Sequence, residues 1–282
     1  MLRSVRNLKS IHGSGPEPVT KANLNMFESQ TAQIAFDAPK ELAGDLLQML
    51  KSEPDSELKV NFLATQQWKD EVVVLQSPTG SSQVRIEPGR ALLSTTYFDE
   101  FRQDNSWERR DAYSRQKLRS LLGILQRAIS SFSMLGATTV AKVPCERDPD
   151  AMRAAACRAF AVPAHLSADE ETFDFTLRVA RKLGDHAFFN TYVSWYQTRS
   201  VAIPVPMTDS PLTIPRVVPI WEGELVDEGV EFKYDWNNKL ALIEGRREWT
   251  ADSLLEVADL ALAETRKCHK RLSTVLAEEM SR

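Results

Sequence analysis

The stretch that decides the fold reads VEFKYDWNNKLALIEGRREWTADSLLEVADLALAETRKCHKRL and spans residues 230–272. Hydrophobic and charged residues alternate from Val230 to Trp236, which is the period-two pattern of a half-buried strand. Asn237 and Asn238 predict a tight turn into a second strand, because asparagine accepts left-handed backbone geometry better than most residues. The stretch is therefore expected to begin with two antiparallel strands.

A long helix is predicted to follow this pair of strands. Trp249 precedes Thr250, whose hydroxyl is suited to capping the first turn of a helix. The apolar residues that follow recur at helical spacing, so one face of the helix is expected to pack on a sheet. The predicted buried stripe contains Leu254, Val257, Ala258, Ala261, Thr265, Cys268, Leu272 and Val275. Because Cys268 lies on this stripe, the ring of His269 is expected to point elsewhere.

The N-terminal half of the chain shows the same order of elements. A strand ends at Phe36, a proline-opened helix follows, and short β-branched runs predict further strands. Pro88 and Gly89 predict a type II turn, since proline fixes the first turn position and glycine supplies a positive φ at the second. A long helix capped by Ser106 then begins beside Trp107, just as the C-terminal helix begins beside a tryptophan.

The beginning of the C-terminal half continues this pattern. Residues 137–143 read as a strand, and Asp148 followed by Pro149 predicts the start of a helix. Two long strands then flank a turn at Gly184. The first of them alternates hydrophobic residues such as Leu177 with polar ones, so this strand is expected to be half-buried.

We therefore predict an α+β protein with an internal duplication of a β-α-β4-α unit, in which a long helix packs on each antiparallel sheet. The predicted units are residues 30–134 and 135–282, after a flexible basic tail and linker over residues 1–29. By analogy this is the saddle of the TATA-binding-protein-like fold, and the analogy implies no function. The alternative is an ordinary α+β protein in which the repeated order is coincidental.

The second predicted unit carries a proline-rich insertion over residues 203–221. Its five prolines argue against a central strand and favour an extended loop. Its many apolar residues, ending with Trp221, predict that it covers an apolar surface between the halves or in a second subunit. Trp221 is therefore a candidate partner-binding residue.

One further stretch, VRIEPGRALLSTTYFDEF at residues 84–101, leads into the first long helix, and a strand pair leads into the C-terminal one. This pattern resembles a sporadically distributed family of uncharacterised bacterial proteins of about this length. The resemblance covers most of residues 30–276 in pattern and implies a bacterial cytoplasmic protein. It brings no catalytic residues and no assigned activity to this sequence.

Composition argues against several classes of protein. The 282 residues carry a formal net charge of −4, without the basic surplus that is typical of nucleic-acid binding. The three cysteines have no short spacing, which argues against a disulfide framework and fits a reducing compartment. The four histidines form no metal-ligand spacing, so no metal or other cofactor is expected. No apolar run is long enough to span a membrane, and residues 1–12 read as a flexible basic arm or, alternatively, as a transit segment.

Alternation along one predicted strand supplies a first set of candidate binding residues. Tyr192, Ser194 and Tyr196 share one face of this strand, while Val193 and Trp195 share the other. One face must belong to the core. The other is expected to present its tyrosines to a ligand or partner, since tyrosine joins a large apolar area to a polar tip. The alternative is a second covered face.

Two pairs of arginines supply the second set of candidates. Arg109-Arg110 and Arg246-Arg247 lie near the starts of the two long helices, where they are a candidate symmetric pair of anion sites. The alternative is solvated charge at the helix ends. No nucleophile elbow and no phosphate loop appears in the sequence, so these residues are expected to bind rather than to catalyse.

The sequence as a whole predicts a non-catalytic binding or protein-interaction module that forms oligomers in the bacterial cytoplasm. The first alternative is a small-molecule enzyme with a site between the two halves, which requires a deep pocket lined by titratable groups. The second alternative is a nucleic-acid-binding saddle, which requires an arginine-rich concave sheet.

Overall fold

The computed structural model describes residues 27–37, 42, 63–68, 72–97, 106–145, 148–160, 175–200, 223–245 and 248–282. The strands in this part of the chain are β1 (Phe27–Phe36), β2 (Leu63–Trp68), β3 (Val72–Gln76), β4 (Ser82–Glu87), β5 (Arg90–Thr96), β6 (Phe132–Pro144), β7 (Thr176–Leu183), β8 (Ala187–Ser200) and β9 (Glu224–Asn237). The helices in it are α1 (Trp107–Gln126), α2 (Pro149–Ala159), α3 (Lys239–Ile243) and α4 (Ala251–Met280). The protein is α+β, as the sequence predicts.

The described strands form one continuous sheet in the order β2-β3-β4-β5-β1-β6-β9-β8-β7. Each pair of neighbouring strands in this order is antiparallel. β1 and β6 meet near the middle of the sheet, where Thr31 pairs with Thr138. β1 begins at Phe27, so the first strand starts three residues inside the segment predicted to be tail and linker.

Because side chains alternate along each strand, the sheet has two faces. The helices pack on one of them, here called the covered face. Val230, Phe232, Tyr234 and Trp236 of β9 are at most 1% exposed, as the period-two pattern predicts. Phe232 meets the ring of Phe160 after α2, and α1 and α4 line a cleft above Trp236. The helices therefore cover the even-numbered side of β9, and its odd-numbered side chains lie on the other face.

Local sequence signals explain where the long helices and turns begin. Ser106 accepts a hydrogen bond from the Arg109 N–H at 3.3 Å, which caps α1. Thr250 and Ser253 form a reciprocal capping box at the start of α4. Gly89 has a φ of 76°, which the turn between β4 and β5 requires and which glycine adopts without steric cost.

Ion pairs join α1 and α4 on the outer side of the molecule. Arg266 of α4 binds Asp111 and, at 3.3 Å, Glu108 of α1. A second ion pair links Arg115 to Asp259. The two long helices therefore pack side by side on one face of the sheet. None of the described helices is long and apolar enough to cross a membrane.

The predicted second strand after Asn238 is wrong, because residues 239–243 form the short helix α3. Asn238 is fully buried and binds β6 twice: its Oδ1 accepts from the Leu135 N–H at 2.8 Å, and its own N–H donates to the Leu135 carbonyl at 3.1 Å. These contacts end β9 at the edge of the core. The chain therefore turns into α3 instead of folding back as a hairpin.

The predicted stripe of α4 is correct in its first half and wrong in its second. Leu254, Ala258 and Thr265 are buried, but Cys268 is only half-buried and His269 is fully buried. An α-helix returns to the same side after about eleven residues, so the position that repeats Ala258 is 269 rather than 268. The ring of His269 consequently lies inside the core.

The strand predicted to be half-buried before Gly184 is exposed on both of its faces. Val179 of β7 is 53% exposed and Leu177 is 37% exposed. β7 is at the end of the described sheet, where Arg181 forms an ion pair with Glu264 of α4 while Leu177 and Val179 remain exposed. Three strands, β7 to β9, follow α2 in the described part of the C-terminal half, where four were predicted.

Candidate functional site

The face of the sheet opposite the helices, here called the open face, carries a row of interacting side chains across four strands. The register pairs Arg178 of β7 with Tyr192 of β8, Tyr192 with Lys233 of β9, and Lys233 with Val140 of β6. These four residues therefore point to the same side of the sheet. Asn190 and Asp235 form the next row along the strands.

Tyr192 is placed between two cations. The guanidinium carbon of Arg178 and the Nζ of Lys233 each lie 5.5 Å from the centroid of its ring. This distance is within the range of a cation–π interaction. Within the described part of the chain, neither cation has a carboxylate at ion-pair distance, and the Tyr192 hydroxyl has no hydrogen-bond partner. Among the described residues, the row thus presents two cations without a paired carboxylate and one hydroxyl without a hydrogen-bond partner.

A chain of hydrogen bonds fixes the neighbouring row. Arg178 Nη2 donates to Asn190 Oδ1 at 3.2 Å, and Asn190 Nδ2 donates to Asp235 Oδ2 at 3.0 Å. The other carboxylate oxygen of Asp235 accepts from the Thr138 hydroxyl at 3.3 Å. Asn190 is only 6% exposed, and both the oxygen and the nitrogen of its amide are hydrogen-bonded, so the amide is held in place. This chain holds the Arg178 guanidinium in position over the Tyr192 ring.

The second tyrosine of the open face has a different environment. The Tyr196 hydroxyl donates to Asp227 Oδ2 at 2.8 Å, and the Nζ of Lys142 lies 4.7 Å from its ring centroid. Lys142 also forms an ion pair with Glu28 at 2.8 Å. Burial and the bond to Asp227 raise the pKa of Tyr196, so this hydroxyl remains a neutral donor. Tyr196 and Lys142 therefore each have an acidic partner, whereas Tyr192 and its two cations have none at hydrogen-bond or ion-pair distance among the described residues.

Glu231 lies between these two clusters on β9, opposite Lys142 and Ser194. Burial raises the pKa of the Glu231 carboxyl; Lys142 and Lys233 oppose this shift, and Glu28 adds to it. The carboxyl therefore binds a proton more readily in the folded protein than in water. Proton uptake at Glu231 makes the open face more positive.

The structure places the candidate residues from the sequence in different surroundings. Tyr192 and Tyr196 lie on the open face, while Val193 and Trp195 are buried on the covered face at 2% and 4% exposure. Arg109 is exposed on the first turn of α1. Trp221, Arg246 and Arg247, together with the insertion over residues 203–221, lie outside the described residues.

The two arginines predicted to lie in one anion site, Arg109 and Arg110, have different surroundings. Arg110 is 4% exposed, and its guanidinium carbon lies 5.0 Å from the centroid of the Tyr97 ring. Burial lowers the pKa of the Arg110 guanidinium. Consecutive helical residues point about 100° apart, so only one of the two faces solvent. Arg110 therefore packs inside the protein rather than binding an external anion.

No motif in the sequence singles out Arg178, Asn190, Lys233 or Asp235. Period-two alternation in β7, β8 and β9 places each of them on the same side as Tyr192. What brings them together is the register between strands that are far apart in sequence, which alternation alone does not determine.

On the covered face, a cleft lies between α1, α4 and the middle of the sheet. Its lining is mostly small and apolar, and Gln30, Thr95 and Ser114 supply its neutral polar groups. Arg115 is the one ionisable side chain among its lining residues, and it is ion-paired with Asp259. Among the described residues that line this cleft, no two titratable groups face each other as they do in acid–base catalysis.

Among the described residues, no group of three histidine, cysteine or acidic side chains is placed to hold a metal ion. Neither a protein-family model nor a curated protein sequence matches this chain.

Proposed function

We propose that this protein is a non-catalytic protein-interaction module, and that the open face around Tyr192 binds an acidic segment of a partner. The observation that carries the proposal is the pair of cations at Tyr192. Arg178 and Lys233 both lie on its ring, and neither has a carboxylate partner in the described part of the chain. A partner's carboxylates supply the missing counter-charges, and the Tyr192 hydroxyl is an additional hydrogen-bond donor.

The fixed geometry of this row supports binding. The bonds from Arg178 to Asn190 and from Asn190 to Asp235 hold the guanidinium before a partner arrives. Side chains that are already ordered lose less conformational entropy on binding, which favours affinity.

The two other functional classes have less support. Nucleic-acid binding requires a continuous basic surface, but three other cations of the open face are paired with acids: Arg85 and Arg90 with Glu87, and Lys142 with Glu28. An enzyme of the kind considered above requires titratable groups facing a pocket. The cleft beside α1 and α4 has only Arg115.

A charge reversal at Lys233 tests the proposed function. A short, labelled oligo-glutamate peptide is titrated with the full-length protein, with Lys233→Glu and with Lys270→Glu, and binding is followed by fluorescence anisotropy. Lys270 is an exposed residue of α4 and provides a control with the same change in charge. We expect Lys233→Glu to weaken binding about tenfold or more, because a repulsive charge replaces an attractive one. The proposal is wrong if the peptide does not bind, or if both variants weaken binding equally.

We also propose that the chain arose by duplication of one unit. The strand order supports this: β5, β4 and β3 follow outward from β1, and β9, β8 and β7 follow outward from β6. In each series the strands follow in reverse chain order. The first series starts at β5, the last strand before α1, and the second starts at β9, the last strand before α4. A crystal structure of the full chain tests the proposal. We expect β1, β3, β4, β5 and α1 to superpose on β6, β7, β8, β9 and α4; long helices crossing their strands in unrelated directions would contradict it.

A further inference from the structure

A second surface lies at the end of the sheet, on the outer edge of β7. Each residue of this strand pairs with β8, from Thr176 opposite Ser194 to Leu183 opposite Ala187, without a bulge. No other described strand pairs with β7. Its outward-pointing N–H and C=O groups therefore have no sheet partner within the described residues.

The side chains of β7 leave this edge accessible. Seven of its eight residues are exposed, and the eighth, Leu183, is half-buried. Leu177 and Val179 are among the large hydrophobic residues that remain exposed, and both are on the covered-face side of the strand. A further strand placed beside β7 would cover part of this apolar area, which favours its binding.

Proteins usually protect such an edge with proline, a bulge or charges that project from it. β7 contains no proline and no bulge. Both of its arginines turn back over the protein: Arg178 binds Asn190, and Arg181 binds Glu264 of α4 at 2.6 Å and Cys268 Sγ at 3.3 Å. The guanidinium groups therefore do not block the edge.

The charge of β7 indicates what binds there. The strand carries Arg178, Arg181 and Lys182 and no acidic residue. The first and last of these lie on the open-face side, and Leu177 and Val179 lie on the other. A second copy of β7 would bring three more cations to the same edge, which is unfavourable between adjacent strands. A strand with acidic residues on one side and apolar residues on the other matches both sides.

We propose that the outer edge of β7 binds an extended, acidic segment of a partner protein by strand addition. Backbone hydrogen bonds to the edge provide affinity, and alternating side chains provide selectivity. This surface shares Arg178 with the row around Tyr192, but the backbone groups of the edge and Lys182 lie outside that row, so a methylated peptide and Lys182→Glu test the edge on its own.

The test uses the full-length protein and labelled peptides in which glutamate and valine alternate. A peptide with every backbone nitrogen methylated keeps the side chains but loses all donors for strand pairing, and a lysine–valine peptide reverses the charge. We expect the glutamate–valine peptide to bind, and both altered peptides to bind about tenfold more weakly or less. Lys182→Glu, a change at an exposed position, is expected to weaken binding similarly, whereas Lys270→Glu, the same change in charge at an exposed position of α4, is expected to leave it within about twofold.

Three results would overturn the proposal. The first is no binding of the glutamate–valine peptide to the wild-type protein. The second is equal binding of the fully methylated peptide, which would mean that charge attraction alone is responsible. The third is a protein dimer that dissociates as the glutamate–valine peptide binds, which would show that a second copy occupies the edge. Sedimentation of the unliganded protein decides the last point, and we expect a species without β7–β7 pairing.

Discussion

Consecutive residues of β9 lie in two different environments. Phe232 and Tyr234 are fully buried beneath the helices, whereas Lys233 and Asp235 lie on the open face. Phe232 packs against the rings of Phe160 and His269, whereas Lys233 lies beside the Tyr192 ring and close enough to Glu231 to lower the pKa of its carboxyl. Strand alternation thus separates two roles within a few residues: the covered side stabilises the fold, and the open side is available for binding.

The largest effect is expected from Phe232→Ala. Removing a fully buried aromatic side chain loses its transfer free energy and leaves a cavity, so the free energy of unfolding should fall by about 3–5 kcal/mol. Lys233→Ala on the other side of the same strand is the control, with an expected change within about 0.5 kcal/mol. Urea denaturation of both variants measures the difference. Similar losses for the two would mean that the faces are not separated as described.

A smaller effect is expected from removing one hydroxyl on each face. The Tyr234 hydroxyl lies 3.0 Å from His269 Nδ1 in the core, and Tyr234→Phe should cost about 1–3 kcal/mol because a buried polar atom loses this partner. Tyr192→Phe makes the same chemical change on the open face, where the hydroxyl has no partner among the described residues. Its effect on stability should stay within about 0.5 kcal/mol. A larger loss of unfolding free energy for Tyr192→Phe than for Tyr234→Phe would contradict this assignment of the two faces.

The smallest effect is expected at Glu231 and depends on pH. Because burial raises the pKa of this carboxyl in the folded protein, the folded state binds its proton more tightly than the unfolded state. The stability from this proton is present below the unfolded pKa and is lost as pH rises through the raised folded pKa. Glu231→Gln cannot ionise, so it should melt at a higher temperature than wild type near neutral pH and at a similar temperature in acid. A lower melting temperature near neutral pH would contradict this assignment.

Sequence reasoning succeeded where the deciding interactions are local. The cap at Thr250 and the turn at Gly89 depend on residues a few positions apart, and both appear as predicted. The alternation from Val230 to Trp236 also predicts the buried side of β9. Each of these signals is contained in one element and needs no knowledge of its neighbours in space.

The predictions that failed depend on long-range packing. The sequence predicts a tight turn at Asn238, but Asn238 binds Leu135 of β6, about a hundred residues earlier in the chain. Val179 has the alternation of a half-buried strand, yet it is exposed because β7 is at the end of the sheet. The row of Arg178, Tyr192 and Lys233 likewise results from the register of three strands. Sequence spacing indicates which residues share a face of one strand, but it does not indicate which strands become neighbours in the sheet.

The most direct test of the open face as the binding surface is fluorine NMR of protein labelled with 3-fluorotyrosine. The chain has five tyrosines, and Tyr192→Phe and Tyr234→Phe assign the two resonances that matter. On addition of oligo-glutamate peptide we expect the Tyr192 resonance to shift in a saturable manner, while that of the buried Tyr234 stays in place. A Tyr192 resonance that remains unchanged at saturating peptide would contradict the account.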